Sequence, residues 1–430
     1  MKPHIIIKLR KPVSKKKHWK ESLFEKEEST NSLNKRVDEL LSKYQLPVWV
    51  MAEYAPKEVV FNTEEKAVGL DRTYRLVIKE NRVIPSSLLQ QIQNLEEVEY
   101  VRKSDVAKVK LPQIETAKTL AINRKQDARD ALQLNHVHHL FTEGSPTVKI
   151  AVLDTGVNLS HPELKGALLP GFDFVNILEG ANEFFGDSLG NDDDPEDELV
   201  GHGTHVAGII AGKGNSMPIG VAPKCKIIPV RVLGSIKQGN EYVGAGFVDH
   251  INAGIKWSVD QGADIINMSL GIQHESGGLP HEDAILYAHK NGVTVVAASG
   301  NDGQAKLYYP GALPHVISVG ASRTKDTIAP FSTYGKVTVC APGEQIYSAS
   351  VNHQYAFASG TSQAAPFVSG LIALLKSYAI REGKNLDDNQ VKYILKHSSD
   401  NPTKNIKDKH WGFGYINPTD ALKLLQYKLN

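Results

Sequence analysis

The sequence VKIAVLDTG, residues 148–156, decides the fold of most of this 430-residue chain. A short run of β-branched and apolar residues ends there in an Asp-Thr-Gly turn, which is typical of a buried strand. Similar runs recur downstream and alternate with helical patterns: strands at 227–232, 265–268 and 293–297, helices at 249–261 and 282–290. This alternation predicts an α/β fold with a doubly wound, mostly parallel sheet and helices on both faces.

Three polar residues stand where such a sheet places its active site, outside the carboxyl ends of the strands. Asp154 follows the first strand directly, where a rigid carboxylate can orient an imidazole. His202 lies between glycines in GHGTHVAG, and histidine can act as a general base near neutral pH. Ser362, in SGTSQAAP, precedes an apolar helix whose first backbone N–H groups can bind an oxyanion.

Each of these residues also has an ordinary structural interpretation. Asp154 could simply form a turn, and Ser362 could cap its helix. His202 and His205 could be a hydrogen-bonded pair or hold a metal, although no further ligand motif accompanies them. We expect His205 to be structural. Only the combination favours catalysis.

The three motifs occur in the order Asp, His, Ser, and four others accompany them. Together they resemble the subtilisin-like serine proteases from about residue 131 to residue 425. The additional motifs are GVAP at 220–223, VRVL at 230–233, NMSLG at 267–271 and ASGN at 298–301.

The resemblance implies a serine endopeptidase that hydrolyses peptide bonds in proteins through an acyl-enzyme intermediate. Ser362 would be the nucleophile, His202 the general base and Asp154 the residue that orients the imidazole. The side-chain amide of Asn301 would complete the oxyanion hole with the backbone N–H of Ser362. No cofactor is required for this chemistry.

Two stretches correspond to the walls of the family's S1 pocket. The residues expected to bind substrate are Ser269, Leu270, Gly271, Ala298, Ser299 and Gly300. Tyr308 falls near the pocket floor, where the family often has a small residue, so the S1 preference stays open. In an alternative interpretation Tyr308 simply packs against Tyr309 and Pro310.

The sequence before the peptidase domain predicts a small α+β unit. We assign residues 1–111 to this domain, 112–130 to a linker and 131–430 to the peptidase domain. The element order is β-α-β-β-α-β, and LEEVEYV at 95–101 resembles the last helix and strand of the family's prodomains.

That resemblance implies an intramolecular chaperone and inhibitor whose C-terminal tail occupies the cleft. We expect scission at Lys110–Leu111 or within 113–123. Two alternatives remain: a protease with a permanently retained interaction module, and a catalytically silent binding protein of the same fold. Retention of the unit in the active enzyme would favour the first, and failure of a fluorophosphonate to label Ser362 the second.

Composition excludes several partners. Lys plus Arg (49) balances Asp plus Glu (48), and the basic run at 15–17 has only Trp19 nearby, so we expect no nucleic-acid partner. No apolar run approaches the roughly 18 residues of a membrane span. Near the N-terminus only Ile5–Ile7 is strongly apolar, which predicts no signal peptide and a cytoplasmic location.

Calcium is the one metal that the sequence suggests. Residues 191–198 crowd carboxylates just before His202, and hard oxygen ligands in a loop suit Ca²⁺. A solvated acidic loop is the alternative. The family's usual calcium loop beyond the histidine helix is shortened here, at 214–217, and we predict no metal there.

Overall fold

A computed structural model describes most of the chain. The described residues are 4–14, 16, 31–79, 82–104, 106–109, 127–175, 184–185, 192–239, 241–274, 277–403 and 406–429. The expected scission sites lie outside the described residues. So do Asn191, the first residue of the segment expected to bind calcium, and two residues of the basic run at 15–17.

The N-terminal unit is an antiparallel sheet with helices against it. Its strands are β1 (His4–Leu9), β2 (Val48–Ala52), β3 (Thr73–Ile78) and β4 (Val98–Lys103), in the spatial order β2-β3-β1-β4. Its helices are α1 (Lys35–Lys43), α2 (Thr63–Val68) and α3 (Ser86–Gln93), with a 3₁₀ turn at Leu70–Arg72. The predicted βαββαβ order is present, and α2, which has an Asn62–Glu65 capping box, is an addition to it.

The strand β5 (Val106–Val109) does not join that sheet. It pairs antiparallel with β11 (Glu241–Phe247), so that Val109 lies opposite Gly244 and Val106 opposite Phe247. β11 in turn pairs with β10 (Gly234–Gln238), and β10 with β8 (Phe184–Phe185). The end of the N-terminal unit therefore adds a strand to the larger part of the molecule.

The larger part contains the predicted parallel sheet. Its strand order is β15-β14-β13-β12-β6-β9-β7, with β16 beside β14, and every pair is parallel except β14 with β15. The strands are β6 (Lys149–Asp154), β7 (Phe172–Asp173), β9 (Lys226–Arg231), β12 (Ile265–Met268), β13 (Thr294–Ala298), β14 (Val316–Thr324), β15 (Thr327–Ile328) and β16 (Val339–Pro342). A separate hairpin joins β17 (Ile346–Ala349) to β18 (Tyr355–Ala358).

Helices cover both faces of this sheet, which confirms the predicted α/β fold. They are α4 (Asp127–Ala131), α5 (Leu134–Leu140), α6 (His202–Ala211), α7 (Val248–Asp260), α8 (Glu282–Lys290), α9 (Thr361–Arg381), α10 (Asp388–Ser398) and α11 (Pro418–Leu429). Alternate residues of β6 enter opposite cores: Ile150 and Val152 pack with α6 and α9, and Ala151 and Leu153 pack with α7 and α8. The helix α4 begins at Asp127, inside the segment predicted to be a linker.

One helix, α9, is long and apolar enough to cross a membrane by length and composition alone. Its most apolar window is 94% buried inside the protein. It is therefore a core helix of the fold, and its apolar character follows from burial on the sheet.

The N-terminal unit packs on α7 and α8. Asp249, in the first turn of α7, accepts hydrogen bonds from His4, from Arg102 at 3.1 Å and from Ser104 Oγ at 2.8 Å. On α8, Asp283 pairs with Lys8 at 2.7 Å. Burial opposes ionisation of Asp249, but His4 and Arg102 hold its pKa well below the ordinary value.

Apolar contacts accompany these ion pairs. Met51, Tyr54, Val68 and Leu70 of the N-terminal unit belong to the same hydrophobic cluster as the buried faces of α7 and α8. Because removing one partner of a buried ion pair costs about 3–5 kcal/mol, the charges fix where this apolar surface can dock.

Candidate active site

The side chains of Asp154 and His202 are in direct contact. Asp154 is the last residue of β6, and His202 is the first residue of α6. His202 Nδ1 and Asp154 Oδ1 are 2.7 Å apart, and both side chains are fully buried. The backbone N–H of Thr155 also donates to Asp154 Oδ1, at 2.8 Å, so the carboxylate is held from two sides.

Close backbone contact makes this geometry possible. A Cβ atom on residue 203 would lie 2.0 Å from the carbonyl oxygen of Gly156, so only glycine fits after His202. The Gly203 N–H donates to Thr155 Oγ1 at 3.1 Å, and that hydroxyl donates to Asp197 Oδ2 at 2.5 Å. The strand end and the start of α6 are thereby connected.

The charge on Asp154 tunes the imidazole. Burial by itself lowers the pKa of His202, but the adjacent Asp154 carboxylate outweighs burial and raises it above the ordinary value. His205 has no such partner among its hydrogen bonds: burial lowers its pKa to about 4, and its Nε2 lies 3.1 Å from the carbonyl oxygen of Ala356. These contacts fit the structural role expected for His205.

Ser362 is the second residue of α9, and its hydroxyl is not bonded to the imidazole of His202. Its Oγ donates to the carbonyl oxygen of Ser269 at 3.0 Å. In the described part of the chain, Nε2 of His202 is buried and has no hydrogen-bond partner. Rotation of the Ser362 side chain is therefore required before the two groups can exchange a proton.

Asn301 lines the same cavity as Ser362, with its side-chain amide held in one orientation. Its Oδ1 accepts hydrogen bonds from the Thr361 backbone N–H at 2.8 Å and from the Thr361 hydroxyl at 2.9 Å. Because a backbone N–H can only donate, the atom facing it is the oxygen, and the Nδ2 group is left to face the cleft. The side chain is exposed, as a donor to a substrate oxygen must be.

A cavity of about 400 Å³ adjoins Ser362 and contains most of the predicted substrate-binding residues. Its lining comprises Ser269, Leu270, Gly271, Ala298, Gly300, Asn301, Asp302, Tyr308, Thr361 and Ser362. Ser299 is not part of it, because its hydroxyl turns away and donates to the carbonyl oxygen of Thr333 at 2.9 Å. A larger recess, about 600 Å³, lies beside Arg129 and Met217 and contains no predicted site residue.

Tyr308 forms one end of the cavity. A Cβ atom at position 300 would lie 2.5 Å from the Tyr308 ring, so Gly300 is in close contact with it. The phenolic oxygen accepts a hydrogen bond from Gln273 Nε2 at 2.7 Å, which holds the ring in place. The structure thus places Tyr308 in the pocket wall, not merely against its sequence neighbours.

Thr361, Asn267 and Ser369 are positioning residues that were not identified from the sequence. Thr361 fixes Asn301 as described above. Asn267 accepts from Ser369 Oγ at 2.8 Å and donates to Ser269 Oγ at 3.0 Å, and Ser269 Oγ donates to the Ser362 carbonyl at 2.8 Å. Asn267 lies in a motif that was recognised, but nothing in the pattern indicated which partners it would bridge.

Carboxylates of the acidic loop before His202 have hydrogen-bond partners within the protein. Asp197 is buried and accepts from the backbone N–H groups of residues 199, 200 and 201. Glu196 accepts from Asn158 Nδ2 and from the Leu159 N–H, each at 2.8 Å. These two carboxylates are bound by protein donors, and among the described residues 192–198 no three carboxylates come together as a metal-binding group. The calcium site expected at 191–198 stays a prediction.

The shortened loop at 214–217 surrounds an anion. Buried Glu163 accepts from the N–H groups of Gly214 at 2.8 Å, Asn215 at 3.0 Å and Ser216 at 2.6 Å. Backbone donors that point inwards repel a cation, so the loop is organised around a carboxylate and not around a metal ion.

A buried imidazole paired with a carboxylate, a serine at a helix N-terminus and an exposed amide beside a cleft are the parts expected of a serine hydrolase. Residues 145–414 match the model of the subtilase family, Peptidase_S8. The chain therefore belongs to the subtilase family of serine endopeptidases, as its motifs predicted.

Curated relatives support this membership. The chain is 41% identical to the thermophilic serine proteinase of Bacillus sp. (strain AK1), over 57% of this chain and 55% of that protein. It is 40% identical to the major intracellular serine protease of Bacillus subtilis (strain 168), over 54% and 69%. Thermitase of Thermoactinomyces vulgaris is 36% identical over 66% of this chain and 90% of its own length.

A solved structure has the same fold. The prenylagaramide maturation protease PagA matches with a TM-score of 0.55 and 32% identity, over 68% of this chain and 98% of the other.

The raised pKa of His202 predicts a pH limit on activity. Only the neutral imidazole can accept a proton, so kcat/KM should fall as the pH drops through the His202 pKa, above the ordinary value of 6.5. Asp154→Asn removes the charge that raises this pKa, so the acid limb should move to lower pH while turnover falls about 10⁴-fold. The measurement is kcat/KM against pH.

Asp193→Asn serves as the control, because it removes an exposed carboxylate from the acidic segment that precedes His202. Its acid limb should coincide with that of the wild type. An acid limb of Asp154→Asn at unchanged pH would contradict the assignment of the raised pKa to this carboxylate.

Glu163→Gln should destabilise the protein without involving calcium. The amide brings its own N–H donors against the loop's donors, and we expect a loss of about 2–3 kcal/mol in unfolding free energy. Glu143→Gln, which breaks a surface pair with Lys224, should cost less than about 1 kcal/mol. Chemical denaturation of both variants, with calcium and with chelator, measures this, and calcium dependence of the difference would contradict the anion-centred loop.

Proposed function

We propose that the protein is an active endopeptidase with Asp154, His202 and Ser362 as its catalytic triad. The observation that carries this is the buried His202–Asp154 pair, in which His202 Nε2 has no hydrogen-bond partner among the described residues. In the reaction, the Ser362 hydroxyl breaks its hydrogen bond to the Ser269 carbonyl and donates instead to His202 Nε2. Ser362 Oγ then gives its proton to His202 as it attacks the peptide carbonyl. His202 then passes this proton to the leaving amine. Water, deprotonated by His202, attacks the acyl-enzyme, and the proton returns to Ser362 as the acid product leaves.

The developing oxyanion would be stabilised by Asn301 Nδ2 together with the N–H of Ser362. Thr361 holds the Asn301 amide in a fixed orientation, so little reorganisation is required as charge develops. The peptide substrate would extend along 269–271 and 298–300 as an added strand, with its P1 side chain in the cavity beside Tyr308.

The N-terminal unit would act as an inhibitor of this site in a zymogen. The support is β5, whose Val109 lies opposite Gly244 on β11. A Cβ atom at position 244 would lie 2.6 Å from Thr155 Cγ2, so this part of β11 borders the residue next to Asp154. The C-terminal end of β5 therefore lies beside the part of β11 that borders Thr155.

We also propose an intracellular location. Two relatives are named as intracellular serine proteases, although another is named as extracellular. Cys225 and Cys340 are both buried free thiols, which suits a reducing compartment. No nucleic-acid, membrane or metal requirement forms part of the proposal.

Ser362→Ala tests nucleophile and maturation together. A fluorophosphonate should label the wild type on Ser362 and fail to label the variant, and peptidase activity should fall by far more than 100-fold. In parallel expression, the intact mass of the wild type should lack the N-terminal unit and that of Ser362→Ala should retain it. Full-length mass in a fully active wild-type sample would instead indicate a retained interaction module.

If the wild type is labelled but does not cleave peptides, the triad assignment stands and the N-terminal unit is what prevents substrate binding. Absence of labelling in a folded wild type that lacks residues 1–111 would identify a silent binding protein.

Tyr308→Gly tests the size of the S1 pocket. Since the Tyr308 ring fills one end of the cavity, the wild type should prefer small P1 side chains. Removal of the ring should raise kcat/KM for a P1 Phe peptide relative to a P1 Ala peptide by at least about tenfold. Tyr309→Phe is the control, because the neighbouring tyrosine does not line the cavity, and an unchanged ratio in Tyr308→Gly would contradict this role.

A further inference from the structure

A cluster of two histidines and an aspartate lies outside the active site. His289 is near the end of α8, His315 immediately precedes β14, and Asp388 is the first residue of α10. One ligand atom of each residue lies within 4.8 Å of the other two. Three separate elements of the fold are thus brought to one point.

The carboxylate of Asp388 is incompletely satisfied. Its Oδ2 pairs with Lys392 Nζ at 2.7 Å and with His289 Nδ1 at 3.2 Å. Its Oδ1 is buried and, in the described part of the chain, has no hydrogen-bond partner. The residue is only 2% exposed, and a buried carboxylate oxygen without a partner is costly, so the site lacks one donor or cation.

The two imidazoles are arranged next to each other. The rings of His289 and His315 stack with centroids 3.7 Å apart, and His315 is exposed, so its ring can turn without disturbing the core. In tetrahedral zinc sites, with bonds of about 2.0–2.1 Å, neighbouring ligand atoms are about 3.3 Å apart. The three ligand atoms, which lie within 4.8 Å of one another, would therefore have to approach by at most about 1.5 Å to share an ion.

We propose that His289, His315 and Asp388 form a binding site for a divalent transition-metal ion of the Zn²⁺ class. Two imidazoles with one carboxylate suit zinc, copper or nickel, whereas Ca²⁺ and Mg²⁺ prefer oxygen ligands alone. The ion would satisfy Asp388 Oδ1 and connect α8, β14 and α10, with a fourth position left to water. It stabilises the fold and takes no part in peptide hydrolysis.

The test uses the full chain with Ser362→Ala, which prevents self-cleavage. Zn²⁺ is titrated into metal-free protein by calorimetry, and Co²⁺ binding is followed by the absorption of tetrahedral cobalt. We expect one strong site per chain, and a melting temperature raised by about 3–6 °C at free Zn²⁺ roughly 100 times Kd. Calcium and magnesium should produce neither effect.

His315→Asn is the informative variant. His315 has a left-handed backbone, with φ of 67°, and asparagine tolerates that conformation, so metal-free stability should be unchanged. Zinc affinity should fall by at least about 100-fold. His289→Gln, in which a helical position is changed, should give the same loss.

His353→Asn is the matched control. His353 is also exposed and left-handed, with φ of 55°, and its ring contacts that of His161. Both nitrogens of His161 are already engaged, with the Gln354 carbonyl and the Glu163 N–H, so zinc binding should be retained. Equal zinc affinity in the parent, His315→Asn and His289→Gln, or no binding at about 100 μM Zn²⁺, would overturn the proposal.

Discussion

The burial of α9 across the parallel sheet is the constraint on which the rest of the molecule depends. Nearly every residue from Thr361 to Ala379 is buried, and the helix packs against β12, β13 and β14. Its N-terminus must therefore stop at the carboxyl edge of those strands, where Asn301 and Ser269 also lie. The helix cannot shift without exposing its apolar surface, so the packing of the core holds Ser362 at a fixed distance from the strand that carries Asp154.

The positions of strand ends and helix starts could be predicted from the sequence. Short β-branched runs located β6, β12 and β13 closely, and glycines around His202 indicated a tight approach of backbone. Strand ends and helix starts are encoded locally, by composition and by turn residues, so a sequence pattern can identify them. The assembly of Asp154, His202 and Ser362 into one site follows from the parallel topology, which places those ends on one edge.

Long-range polar contacts could not be predicted in the same way. Glu163 is an ordinary acidic residue in the sequence, and only the fold brings the N–H groups of 214–216 around it. The acidic run at 191–198 suggested calcium from its composition alone, and only the structure shows that Asp197 within it faces backbone donors. Likewise, nothing in the sequence of β5 indicates that its partner, β11, lies far along the chain.

The position of β5 follows from one ionic cluster. Arg102 and Ser104, which precede β5, both bond to Asp249, which comes two residues after the end of β11. These contacts with Asp249 therefore adjoin one end of the β5–β11 ladder, where Val106 lies opposite Phe247. Because a buried charge must keep its partner, sliding β5 by one residue would separate Arg102 from Asp249. This carboxylate thus sets the register between β5 and β11 and, together with Asp283, the place where the N-terminal unit docks.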